Sequence, residues 1–177
     1  TQPSLSDDVW RYLHDGRAQI AGVSPYAYAP ADPRTAPYRG PEFDRINHPQ
    51  LPTIYPPLAQ YAFRAAASFP EPLLAWRLML LAAEITLIGA GALLLRGRGA
   101  QANLALYAWH PLAIVESIGS AHLEPVGIAL LIVALAALAR ARFALGGIAD
   151  LEPQSADLVR EIAVQLLRNA VVHGIDV

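Results

Sequence analysis

The stretch "PLLAWRLMLLAAEITLIGAGALLLRGRG", residues 72–99, decides the class of fold. A helix rises about 1.5 Å per residue and a bilayer's hydrocarbon layer is roughly 30 Å thick, so the apolar run over residues 78–95 is long enough to span. Glu84 is the one full charge inside that run. A carboxylate in hydrocarbon is costly, so Glu84 is expected to face protein or a polar cavity. The competing reading is the buried helix of a soluble protein.

The composition favours the membrane. Of 177 residues, 54% are hydrophobic and 16% charged, whereas soluble domains carry about a quarter charged residues. The formal net charge is -2, with no run of Lys or Arg, which argues against nucleic acid as a partner. There is no cysteine, so disulfides and thiolate metal sites are excluded. The first residues lack the basic start and apolar core of a signal peptide.

Downstream, "ANLALYAWHPLAIVESIGSAHLEPVGIALLIVALAALARAR" holds two more apolar stretches, residues 102–115 and 126–139. His110-Pro111 should kink the first. The polar "ESIGSAHLE" between them reads as a turn. Arg96 and Arg98 close the first run, and Arg140 and Arg142 close the third. A three-helix zigzag puts both pairs on one side, the cytoplasmic one by the positive-inside tendency. The opposite side then receives residues 1–71 and the turn near His122.

Three segments follow. Residues 1–71 are expected to form a proline-rich, non-cytoplasmic loop region with short helices, of which "PLAQYAFRAAASF" lies on or leads into the membrane. Residues 72–148 carry about three transmembrane helices. In residues 149–177, "SADLVREIAVQLLRNAVV" places Leu158, Val159, Ile162, Ala163, Leu166, Leu167 and Ala170 on one face of an amphipathic helix. The fold class is thus an all-α membrane protein.

Three polar groups are candidates for chemistry. In "SDDVWRYLHDG", Ser6 can cap a helix whose first turn carries Asp7 and Asp8, a placement that suits the helix dipole. The functional reading makes one of the two acids a general base and the other an orienting or ligating group, because adjacent residues point in different directions. Trp10 and Tyr12 would suit an interface or a sugar, and Arg11, Arg17 and Arg64 are candidate partners for a phosphate. The second group lies in "NHPQLPTIYPP", where closely spaced prolines restrict the backbone and can hold His48 and Tyr55 in place. The third is His110, Glu116, His122 and Glu124. His122-x-Glu124 alone supplies too few ligands for a metal, but polar side chains at a helix mouth could bind a headgroup, a phosphate or a sugar.

"SDDVWRYLHDGRAQIAGVSPYAYAPADP", "INHPQLPTIYPPLAQ" and "YAWHPLAIVESIGSAHLEP", in that order and spacing, resemble the front part of GT-C superfamily membrane glycosyltransferases. Within that superfamily they resemble the polyprenyl-phosphate-sugar-dependent mannosyltransferases. The likeness covers roughly residues 4–148. It implies transfer of a sugar, with mannose the family's choice, from a polyprenyl-phosphate donor to a glycan or lipid acceptor at the outer face of the cell (inner) membrane. Asp7 and Asp8 match the family's acidic motif and would supply the base. No cofactor is implied, and a divalent metal stays open. Relatives usually carry Gly-His-Asn-Asp where this chain has Ala121-His122-Leu123-Glu124. The likeness also implies a span ahead of Thr1 and further spans after residue 148, so the chain reads as a fragment lacking part of the donor site. A non-catalytic membrane binding or assembly protein is the alternative reading, and the amphipathic tail fits it.

Overall fold

The computed structural model describes residues 6–96 and 103–144. The expected C-terminal amphipathic helix lies outside them. Six α-helices and short 3-10 and π segments make up the described chain, and no strand occurs among the described residues.

Helix α1 covers Asp8–Ile20. Asp7 occupies the N-cap position without a side-chain cap bond. Ser6 lies one residue further out, where its Oγ accepts from the Asp8 N–H at 3.2 Å, so the local cap comes from Ser6. The helix ends in a Schellman arrangement: Val23 N–H donates to the Ala18 carbonyl and Gly22 N–H to that of Gln19. Gly22 takes the left-handed conformation this ending needs, at φ 79°.

A long loop then folds under α1. Its two arms are tied by Ala31 N–H to the Pro49 carbonyl, Thr53 N–H to that of Pro25, and Tyr26 Oη–H to that of Tyr55. Buried Thr35 donates to the Pro30 carbonyl at 2.6 Å, and Arg39 spans the carbonyls of Pro30 and Asp32. These side chains satisfy backbone groups that a proline-rich loop cannot pair with itself.

Helices α2, Pro57–Ala67, and α3, Pro72–Leu94, each open with proline at a first-turn position, where the missing N–H costs nothing. Helix α2 packs on α1 and α3. Tyr12 stacks on Phe63 at 4.4 Å, and Trp76 meets both rings edge-on. Val9, Leu13, Ala66, Leu80 and Ala121 also belong to this core.

At Gly16 the backbones of α1 and α2 touch: a Cβ there would lie 2.3 Å from the Phe63 carbonyl oxygen and 2.7 Å from Ala67 Cβ. Alanine at this position would gain up to about 1 kcal/mol of helix propensity. The clash is with backbone, which cannot swing away, and overpacking of this kind costs about 1–3 kcal/mol. Gly16→Ala is therefore expected to lower stability by a net 1–2 kcal/mol or so, read as a drop in melting temperature of the purified protein.

Among the described residues, α3 is the helix long and apolar enough to cross a membrane. Its surface is mostly open, with Leu74, Leu78, Leu81, Ile85 and Leu93 exposed. This is consistent with an integral membrane location. The expected three spans are not matched by three such helices. The second apolar stretch is broken into α4, Asn103–Ala108, α5, Pro111–Ile114, and a π-helical turn, Val115–Gly119. Pro111 has no N–H to continue the ladder, so α4 cannot run into α5 without interruption. The broken segment still returns along α3. Leu104 lies against Gly91, Tyr107 and Ser117 meet Glu84, Gly119 meets Arg77, and Ala121 meets Trp76. Helix α6, Glu124–Ala144, then starts beside the beginning of α3 and packs along it. Arg96 and Arg140 consequently lie at the same end of the pair.

Candidate functional site

At the end of α3 that Arg96 does not occupy, several sequence-predicted residues converge. Asp8 is half-buried in the first turn of α1, whereas Asp7 is exposed. The carboxylate of Asp8 lies close enough to Tyr12 and Tyr55 to disfavour their phenolate forms. Burial is the larger cause in both. Tyr12 is held well above the ordinary tyrosine value, and Tyr55 is pushed up to about 12. The two rings meet edge-on, with centroids 5.0 Å apart. Glu124, at the start of α6, also acts on Tyr12. Asp8, Tyr12, Tyr55 and Glu124 thus come together from three separate parts of the chain.

His122 sits between two carboxylates, with Nδ1 3.3 Å from Glu116 and 3.9 Å from Glu124. Its backbone N–H donates to the Glu116 carbonyl. The preceding residue, Ala121, is fully buried at φ 63°, and its carbonyl accepts from Trp76 Nε1–H at 2.8 Å. A left-handed alanine costs about 1–2 kcal/mol. The glycine expected at this position in relatives would avoid that cost.

The remaining candidates lie elsewhere. Arg11 is buried, bonded through Nε to Asp15 Oδ1 at 2.8 Å and through Nη2 to the Leu51 carbonyl at 2.9 Å. Arg17 pairs with Glu42 beside Gly40. His48 is exposed in the loop at φ 47°, and His110 is exposed at the break between α4 and α5. Arg64 is exposed on α2. Among the described residues no group of three His, Asp or Glu is arranged to hold a metal ion.

Sequence reasoning misses a polar network under the site. Gln60 Nε2 donates to Asp15 Oδ2 at 2.9 Å and to Thr53 Oγ1 at 2.8 Å, and Gln19 donates to Gln60 Oε1 at 2.7 Å. The i,i+4 spacing of Arg11 and Asp15 is the one signal of it in the sequence.

The model of the alpha-(1->6)-mannopyranosyltransferase N-terminal domain family matches residues 1–173. The chain belongs to that family. No curated protein and no solved structure matches it. Membership supports a glycosyltransferase role for this mannopyranosyltransferase N-terminal domain and is consistent with a lipid-linked donor and a bilayer around α3.

Among the described residues, His14 is a buried histidine outside the site. His14 is 2% exposed, and its Nδ1 has no hydrogen-bond partner among the described residues. Burial, and then the positive charges of Arg11, Arg39 and Arg17 against the opposing pull of Asp15, lower it to about 4. Above the ordinary value of about 6.5, both folded and unfolded chains hold it neutral. As pH falls from there towards 4, the unfolded chain takes up a proton that the fold refuses. Stability should therefore drop on acidification, by on the order of 3 kcal/mol across that window. The check is the pH dependence of melting, in which His14→Asn should flatten the limb below pH 6.5 whatever its effect at neutral pH.

Proposed function

We propose that the chain carries the acceptor-activating site of a membrane mannosyltransferase that uses a polyprenyl-phosphate donor. The observation that carries the reading is the position of Asp8, half-buried in the first turn of α1 and close enough to Tyr12 and Tyr55 to act on both. One carboxylate is enough for this chemistry. Asp8 takes the proton from the acceptor hydroxyl. The acceptor oxygen forms the new bond to the anomeric carbon, and the bond to the lipid phosphate breaks with its electron pair leaving on phosphate. Phosphate leaves without a second acid, whereas hydrolysis of an ordinary glycoside needs two carboxylates. Direct attack inverts the anomeric centre.

Tyr12 and Tyr55 stay protonated at neutral pH and so remain hydrogen-bond donors. Half-buried Tyr55 suits a sugar hydroxyl, and Tyr12, buried in the core, suits the Asp8 side of the site from within. His122, flanked by Glu116 and Glu124, is the polar group best placed to meet substrate from the α6 side. Arg11 and Arg17, committed to Asp15 and Glu42, are structural in this reading, and the donor phosphate is met by other cations. The site lies at the end of α3 away from Arg96 and Arg140, and the positive-inside tendency makes that end the non-cytoplasmic one.

The test is transfer of radiolabelled mannose from a polyprenyl-phosphate donor in reconstituted membranes. The chain is assayed alone and joined to the further spans expected of the family. Transfer in either form supports the reading. Its absence from both, with folded protein in the membrane, overturns it in favour of a binding role.

A further inference from the structure

Glu84 is the charged residue in the middle of α3, and the function proposed above does not use it. Its two oxygens are both taken. Tyr107 Oη–H donates to Oε2 at 2.9 Å from α4, and Ser117 Oγ–H donates to Oε1 at 2.5 Å from the π-helical turn. A carboxylate on a spanning helix is expensive and persists where it has a task. One task would be to stitch the returning chain to α3. The geometry is more specific than that.

The turn at Val115–Gly119 is wound one residue wide. Ser120 N–H reaches the Val115 carbonyl at 2.8 Å, a bond across five residues, where an α-helix would close across four. The extra residue turns everything after it by about 100° relative to a continuous α-helix. The residues after it are Ala121, His122 and Glu124. Three side chains of α3 hold this turn in its wide form: Glu84 on Ser117, Arg77 on the Gly119 carbonyl at 3.2 Å, and Trp76 on the Ala121 carbonyl. Arg77 and Glu84 are seven residues apart, on one face of α3. Glu84 grips the turn from within, since Ser117 is its central residue and is 5% exposed.

We propose that Glu84 is a positioning residue, whose carboxylate, through Ser117 and Tyr107, keeps the turn in the wide register that delivers His122 and Glu124 to the Asp8 side of the molecule. The clamp stands on geometry alone, and its importance for transfer rests on the mannosyltransferase reading.

The experiment pairs amide hydrogen exchange of the full reconstituted chain with transfer kinetics, in Glu84→Ala, Glu84→Gln and Ser117→Ala. Glu84→Ala and Ser117→Ala should speed exchange at the Ser120 and His122 amides by about tenfold or more and leave the amides of α1 unchanged. Glu84→Gln keeps the shape and one acceptor oxygen, so it should restore most of the protection. The value of kcat should fall in step with lost protection while the donor KM holds. Ser117→Ala removes one arm of the clamp and keeps the test open if Glu84→Ala does not insert. Unchanged exchange over residues 115–122, loosening shared equally by α1, or full kcat with a loosened turn would each overturn the proposal. The expected exchange pattern with no transfer from the chain either alone or joined to the further spans would leave the clamp standing and remove the mannosyltransferase reading instead.

Discussion

If Asp8 is the proposed base, Asp8→Asn is expected to lower mannosyl transfer by about 10²- to 10⁴-fold, the usual worth of a positioned general base, while Asp7→Asn should leave it within a few-fold. The two acids are adjacent and chemically identical, so the contrast isolates position. Asp7 sits at the N-cap with its side chain in solvent and makes no cap bond. Asp8 is half-buried in the first turn of α1 and acts on both Tyr12 and Tyr55. Asparagine keeps the shape and the first-turn location but cannot accept the acceptor's proton. Neither variant removes a packed side chain, so melting temperatures should stay close to wild type. Initial rates with saturating donor are the measurement. Equal loss in both variants would mean that the pair acts through charge at the helix start, and no loss in Asp8→Asn would move the base elsewhere.

The second large effect is on stability. Asp15→Ala leaves the Arg11 guanidinium, 8% exposed in its side chain, with the Leu51 carbonyl as its remaining acceptor. Breaking a buried ion pair from one side costs about 3–5 kcal/mol, because the surviving charge stays buried and uncompensated. Gln60 loses an acceptor as well, so the effect should fall at the upper end. Removing both charges behaves differently. Arg11→Met combined with Asp15→Leu should recover most of the loss, since apolar pairs of similar volume replace buried ion pairs at little cost. The residual deficit is the unmet Gln60 donor, about 1–3 kcal/mol. Thermal unfolding of Arg11→Met, Asp15→Leu and the double variant closes this cycle, and additive losses would show that Arg11 and Asp15 are not coupled.

Several features are legible in the amino-acid sequence. The length and apolarity of α3 follow from composition alone. The starts of α2 and α3 follow from Pro57 and Pro72, and the break before α5 from Pro111, because proline acts on its own backbone. Glu84 faces protein, as the cost of a membrane carboxylate without partners requires. Other features are hidden. Arg11 and Arg17 are as plausible as phosphate ligands as any other arginine in the sequence, and only the fold commits them to Asp15 and Glu42. The choice between Asp7 and Asp8 depends on the position of Tyr55. The wide turn at Val115–Gly119 carries no sequence mark, since its bonds come from Glu84, Arg77 and Trp76 on another helix.

Local chemistry therefore determined the apolar helix, the proline punctuation and the placement of both acids at a helix start, because these depend on a residue and its near neighbours. Tertiary structure decided which acid faces the tyrosines, which arginines are already paired and how His122 is aimed. Those outcomes depend on contacts between residues far apart in the chain, such as Gln60 with Asp15, Ser117 with Glu84 and Trp76 with Ala121. Such contacts exist only once the chain has returned on itself along α3.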